Sequence, residues 1–232
     1  MNRIAVFGDV HGHLDKMIEM MNVDEIDFAI QVGDFGAYLP TSNLSAIPKH
    51  HRNDLGQFGE YFKVQKPFPV PTYFCKGNHE DFELLARYET KREVLPNLFY
   101  VSNGLVLEIQ GLHIAFLGGN FSSKWFNKSV PNKCQSQKIL GYLRQKEINE
   151  IKSHRGNIDI LITHEPSFGP QFRGDQKYGC QAIHDLIENI QPTYAFSGHI
   201  HKYAEGTVGR TKCIALGAVN YNSGKSIYQF AL

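Results

Sequence analysis

Short apolar runs recur along the chain, most of them closing on a turn that carries Gly, Asp, Asn or His. This pattern predicts strands. Residues 3–7 run into Gly8-Asp9, residues 28–32 into Gly33-Asp34, and residues 72–75 into Gly77-Asn78-His79. Residues 105–109 and 113–117 flank Gln110-Gly111 and predict a hairpin. Residues 159–163 end at His164, and 193–197 at Gly198-His199. Residues 212–216 and 226–232 close the chain as strands. Apolar positions at i, i+3 and i+4 predict helices over 14–21, 80–87, 135–151 and 179–190. Strands and helices alternate early and strands dominate later, which predicts a mixed α/β sandwich. Residues 36–71 and 118–133 are the least regular, and each follows a strand. They are expected to be loops that cover a site. No repeat, low-complexity stretch or composition shift interrupts the chain, so residues 1–232 are expected to form one domain.

Composition changes this picture little. At 42% hydrophobic and 20% charged, the chain has enough apolar residues for a core and is not of the disordered class. A net charge of +1 gives no general case for nucleic acid, so any such binding needs a local patch. Cys75, Cys134, Cys180 and Cys213 lack the spacing of a zinc knuckle or a redox pair and read as reduced thiols. The N-terminal residues do not read as a secretory signal, and no segment is apolar enough to span a membrane. A cytoplasmic protein with no membrane partner is expected.

The chemistry lies in where the metal-capable residues fall. Asp9, His11, Asp34, Asn78, His79, His164, His199 and His201 all follow the C-terminal ends of predicted strands. Ligands of open α/β sheets bind outside those ends, so five turns are expected to converge. Asp9 and His11 lie two apart in what reads as an extended turn, which points both side chains one way, and His199 and His201 repeat the spacing. Gly33 allows the backbone beside Asp34 to approach closely, and Asp34 is the candidate to bridge two cations. Mixed oxygen and imidazole ligands suit manganese, iron, zinc or nickel. Two such cations clamp the attacking and leaving oxygens of an in-line phosphoryl displacement, and a hydroxide between them is a nucleophile at neutral pH. His79, beside Asn78, is placed to protonate the leaving oxygen as a general acid. Taken singly, each residue has a blander reading. Gly-Asp after a strand is often a turn, and a lone His is usually a rim or core residue. It is their joint occurrence at five strand ends that favours a metal site.

The blocks Gly8-Asp9-Val10-His11-Gly12, Gly33-Asp34, Gly77-Asn78-His79-Glu80, Thr163-His164-Glu165 and Gly198-His199-Ile200-His201 resemble those of the calcineurin-like metallophosphoesterases, in order and across nearly the whole chain. The resemblance implies a four-layer α/β/β/α sandwich with the site at the sheet edge. It implies one metal on Asp9, His11, Asp34 and His201, a second on Asp34, Asn78, His164 and His199, and His79 as the acid. A narrower resemblance is to RNA lariat debranching enzymes, which cleave a 2′,5′-phosphodiester. It rests on Gly33-Asp34-Phe35-Gly36-Ala37, Ile47-Pro48-Lys49-His50, Pro69-Val70-Pro71-Thr72 and Gly119-Asn120-Phe121-Ser122-Ser123-Lys124, the last in the place of that family's recognition loop. That family usually carries Cys where this chain has Asp9, and has a C-terminal extension beyond this chain's length. Gly33-Asp34-Phe35-Gly36-Ala37-Tyr38 also lacks the Asp and Arg that follow Gly-Asp in phosphoprotein phosphatases, which argues against a protein phosphatase.

The expected function is therefore a phosphoesterase acting on a nucleic acid or nucleotide phosphodiester, with RNA as a candidate substrate. The alternatives are a monoesterase or small-nucleotide phosphodiesterase, and a non-catalytic metal-binding scaffold. Asn78 and His79 would also face substrate, and Lys124, Arg144 and Arg173 are candidates to reach a phosphate. Lys49, His50, His51 and Arg52 form a basic run that reads as a solvated face, with phosphate contact as the alternative. Tyr38, Phe121, Trp125, Phe126 and Tyr178 are candidates to stack on bases. His13, His113, His154 and His184 read as structural or surface residues.

Overall fold

A computed structural model describes residues 2–22, 25–47, 52–89, 92–129, 136–169, 179–220 and 224–232. The first half of the chain runs β1 (Arg3–Phe7), α1 (Leu14–Met21), β2 (Phe28–Gln31), α2 (Phe58–Val64), β3 (Thr72–Phe74) and α3 (Phe82–Ala86). It continues through β4 (Glu93–Leu95), β5 (Leu98–Tyr100), β6 (Val106–Ile109), β7 (Leu112–Leu117) and α4 (Gln145–Lys152). The remainder is β8 (Ile160–Thr163), α5 (Gln181–Ile190), β9 (Tyr194–Ser197), β10 (Ala204–Val208), β11 (Thr211–Ala215) and β12 (Ile227–Ala231).

The strands form two six-stranded sheets, ordered β12-β1-β2-β3-β5-β4 and β10-β11-β9-β8-β7-β6. The central strands of each sheet are parallel, and the edges β12, β4, β10 and β6 are antiparallel. Central strands such as β2 (buried at every position) and β8 read as continuous apolar runs because both faces are covered. One core lies between the first sheet and the apolar stripes of its helices, including Leu14, Met17, Met21, Phe58, Tyr61, Leu84 and Leu85. A second fills the space between the sheets around Val6, Ile30, Phe116, Ile162 and Phe196. A third joins the second sheet to α4 and α5 through Ile148, Ile151, Ile183, Leu186 and Ile190. The layers are therefore α/β/β/α, as the family resemblance implied. Among the described residues no helix is long and apolar enough to cross a membrane.

Several local expectations are corrected. The helix expected over 135–151 is realised only as a 3-10 turn at Gln137–Ile139 and α4. Between them, Gly141 accepts the Asn120 N–H at 3.0 Å, and a Cβ on it would lie 2.7 Å from the Phe82 ring. The backbone is thus spent on pairing with the loop after β7. Segment 36–71 was expected to be irregular but contains α2, because Phe58 and Tyr61, one helical turn apart, reach the first core. The short strands β4, β5 and β10 were not foreseen. The Gln110-Gly111 hairpin is as expected, with positive φ at both residues as a type I′ turn requires.

The loop after β2 is closed by Glu80, whose fully buried carboxylate accepts the N–H groups of Phe35 (2.7 Å), Gly36 (3.2 Å) and Ala37 (2.9 Å). Removing that carboxylate strands buried donors. Glu80→Ala is therefore expected to lower unfolding stability by roughly 2–4 kcal/mol, read from the midpoint of urea denaturation. A loss within about 0.5 kcal/mol of zero would mean that water replaces the carboxylate freely.

Candidate metal centre

The parallel strands of both sheets deliver their C-terminal ends to one seam. β1 ends in Gly8-Asp9, β2 in Val32-Gly33-Asp34, β3 in Gly77-Asn78, β8 in His164 and β9 in Gly198-His199. Gln31, fully buried in β2, braces two of these ends. Its side-chain amide donates to the Gly8 and Gly33 carbonyls, and its side-chain oxygen accepts the Gly33 N–H at 3.0 Å.

Asp34 is the hub. Its backbone carbonyl accepts the N–H groups of Val10 (3.0 Å) and His11 (2.8 Å). Its carboxylate Oδ1 accepts those of Asn78 and His79, both at 2.7 Å. Asp9, fully buried, accepts the His199 N–H at 3.0 Å. Glycines make room for this. A Cβ on Gly77 would lie 2.0 Å from the Asp34 carboxylate oxygen, and one on Gly198 equally close to that of Asp9.

The side chains meet as two overlapping groups. Ligand atoms of Asp9, His11, Asp34 and His201 all lie within 4.8 Å of one another. His201 Nε2 is 2.9 Å from Asp9 Oδ2 and 2.9 Å from His11 Nε2. On the other side, His164 Nε2 is 3.0 Å from Asn78 Oδ1 and 3.5 Å from Asp34 Oδ1, and the His164 and His199 rings lie 5.0 Å apart. The His79 ring packs edge-on to His11 at 5.4 Å. The expectation that an extended turn aligns Asp9 with His11 is corrected. His11 (φ 47°), Asp34 (φ 54°), His199 (φ 67°) and His201 (φ 53°) are all left-handed. This conformation costs a non-Gly residue of order 1–3 kcal/mol and collects at functional sites.

The donor set fits cations. His164 Nδ1 lies 3.1 Å from the Val32 carbonyl, which only accepts, so Nδ1 carries the proton. An unprotonated Nε2 would present a lone pair to the oxygens of Asn78 and Asp34, an arrangement that a metal ion satisfies. Asp9 and Asp34 are buried, and among the described residues no Lys or Arg pairs with either. Burial raises the Asp34 carboxyl, but the imidazoles of His164, His11 and His79 outweigh it and hold the group below the usual range. Burial lowers His11, and burial with His164 nearby lowers His199 to about 4. Burial lowers His201, but its hydrogen bond to Asp9 together with the charges of Asp9 and Asp34 outweighs this and leaves the imidazole raised.

Other expected contacts fall elsewhere. Lys124 is exposed, 5.6 Å from the Trp125 ring centroid and outside the Asp–His cluster. Arg144 is buried and donates to the carbonyls of Trp125 and Ile139, so it braces a loop. Tyr38 is buried, with a hydroxyl that meets no hydrogen-bond partner among the described residues, and does not offer its ring for stacking. Phe121 remains exposed and packs on Phe126 at 5.0 Å. Lys49, His50, His51, Cys134, Arg173 and Tyr178 lie outside the described residues. The remaining described cysteines are free and buried. His184 bonds the Phe168 carbonyl at 2.7 Å, and His113 lies near Asp159 at the surface.

Three residues were missed. Gln31 stands out only as a polar residue in an apolar strand, and Glu80 lies in the polar run Asn78-His79-Glu80-Asp81, from which only its full burial sets it apart. Burial and the nearby Asp34 carboxylate push Glu80 up to about 8, against the pull of the Ala37 and Phe35 N–H groups. Burial also raises Glu165, which accepts the Phe121 N–H and so ties the loop after β7 to the residue following His164.

Comparison with known proteins agrees with this architecture. Residues 2–203 match the family model described as calcineurin-like phosphoesterase. The human lariat debranching enzyme is 28% identical over 228 residues, covering 86% of this chain and 42% of that protein. The Schizosaccharomyces pombe lariat debranching enzyme is 27% identical over 223 residues, covering 86% of this chain and 48% of that one. This chain thus spans less than half the length of these relatives. Among solved structures, TT1561 of Thermus thermophilus superposes with a TM-score of 0.62 over 94% of this chain and 90% of that one, at 13% identity, and shares the fold.

The lowered His199 makes metal-free stability depend on pH. Between an ordinary 6.5 and about 4, the unfolded chain binds a proton at this residue that the folded chain refuses. Stability therefore rises with pH across that window and falls on acidification. In chelator-treated protein, thermal melts are expected to fall more steeply from pH 6.5 to pH 4 for the parent than for His199→Asn; parallel slopes would refute it.

Proposed function

Because the chain belongs to the calcineurin-like phosphoesterase family, whose members are metal-dependent hydrolases, we propose that it hydrolyses a phosphodiester in nucleic acid, with branched RNA as the leading substrate. The observation that carries this reading is the Asp–His cluster in a chain most of which aligns with lariat debranching enzymes.

In this reading Asp9, His11, Asp34 and His201 hold one divalent cation, with manganese the first to test. Asp34, Asn78, His164 and His199 hold the second. When bound, the cations lower the pKa of a water and offset charge on the phosphoryl oxygens. The chain's own residues do the rest. Asp34 fixes the backbone of Asn78 and His79, so the two side chains stay at the mouth of the cluster. His79 gives a proton to the leaving oxygen as the phosphoester bond breaks. Glu165 holds the backbone of Phe121, which keeps one exposed aromatic ring beside the cluster for a base to stack on.

The direct test is cleavage of a synthetic 2′,5′-branched RNA by manganese-loaded protein, with linear 3′,5′-RNA alongside. Selective scission at the branch is expected. His79→Ala is expected to lower that rate by about 10²–10⁴-fold, with a smaller loss on an aryl phosphate whose leaving group needs no proton. Equal losses on all leaving groups would remove His79 from the acid role. Turnover confined to aryl phosphates and small nucleotides would replace RNA with a small phosphoester. Separately, Asp34→Asn is expected to bind less metal at both positions, measured by elemental analysis after dialysis. Two ions retained per chain would exclude Asp34 as the bridge.

A further inference from the structure

On the side of the cluster away from the Phe121 loop, the two sheets end in the antiparallel edges β12 and β10. Aromatic and cationic side chains alternate there. Lys225 Nζ lies 4.4 Å from the Tyr228 ring centroid and 5.7 Å from that of Tyr203. Lys212 Nζ lies on Tyr228 as well, 5.1 Å from its centroid and 2.9 Å from its hydroxyl. Lys212 is neutralised by Glu205 at 2.9 Å, and Glu205 also accepts the Tyr203 hydroxyl. Lys225 and Lys202 are exposed, and among the described residues neither forms an ion pair.

This row begins at the metal ligands. Lys202 and Tyr203 directly follow His201. The Lys225 carbonyl accepts the Gly217 N–H at 3.0 Å, the Ser226 carbonyl accepts the Gly8 N–H at 2.9 Å, and the Val219 N–H reaches the Asp9 carbonyl at 2.8 Å. Lys225 is therefore pinned beside the strand end that carries Asp9. A net charge of +1 for the whole chain gives it no general attraction for polyanions, so a local patch has to supply it. Exposed ammonium groups outside any ion pair among the described residues, interleaved with tyrosine rings, match the alternation of phosphate and base in a single strand.

We propose that the edge formed by Lys202, Tyr203, Lys225 and Tyr228 is a second binding surface for single-stranded nucleic acid. It would take the phosphates and bases that leave the metal cluster opposite the Phe121 loop. The proposal rests on the nucleic-acid reading above and extends it to a strand path across the site.

The test is binding without turnover, by fluorescence anisotropy of a labelled single-stranded RNA about 20 nucleotides long on the full chain carrying His79→Ala. Adding Lys202→Ala and Lys225→Ala is expected to weaken binding about tenfold and to flatten the slope of log K against log salt by about 1.4, which is two lost single-strand phosphate contacts. Lys16→Ala with Lys63→Ala, on the exposed faces of α1 and α2, makes the same charge change and is expected to leave both readings unmoved. Aryl phosphate hydrolysis by the Lys202→Ala/Lys225→Ala chain with His79 intact is expected to match the parent. Tight parent binding left unchanged by the Lys202/Lys225 pair would overturn the second surface alone. A loss matched by the Lys16/Lys63 pair would do the same, by showing a charge effect without location. Absence of RNA binding by the parent, with aryl phosphate turnover intact, would overturn the nucleic-acid reading and this surface with it.

Discussion

A carboxylate 2% exposed to solvent holds this site together. An uncompensated charge at such a position costs several kcal/mol, so Asp34 must be met by donors or cations. Two backbone N–H groups from the turn after β3 meet its side chain, and two from the turn after β1 meet its carbonyl. Three strand ends are thereby locked to one residue. Glu80, two residues beyond Asn78, returns the constraint by gripping the backbone just after Asp34. The left-handed backbones of His11, Asp34, His199 and His201 persist because these bonds and the close glycine contacts over-determine them.

The sandwich explains why the cluster sits where it does. Parallel central strands in both sheets bring their C-terminal ends to the same seam, and one or two residues per turn are enough to assemble a dense set of acceptors. What remains after the local hydrogen bonds is a group of lone pairs that no Lys or Arg among the described residues neutralises, which suits divalent metal chemistry. On one side the loop after β7 is anchored by Asn120 on Gly141 and by Phe121 on Glu165. On the other, two sheet edges carry lysines set against tyrosine rings. On the proposed reading, reaction chemistry comes from the seam and substrate choice from what flanks it.

Much of this could be read from the order of residues along the chain. The sequence alone determined the strand-turn rhythm, the amphipathic helices α1 and α5, the Gln110-Gly111 hairpin and the set of metal-capable side chains, because each depends on neighbours a few residues away. The break in the 135–151 helix and the helix within 36–71 escaped it, since Asn120, Phe82 and the first core decide them from afar. Which atoms converge was also decided only by tertiary structure. The left-handed turns at His11 and His201, the burial of Tyr38 and the bracing role of Arg144 all come from contacts far apart in sequence. So does the Lys225–Tyr203 contact. The physical reason is that local propensity fixes which elements form, while hydrogen bonds and packing between distant segments fix where a side chain points and what remains unpaired.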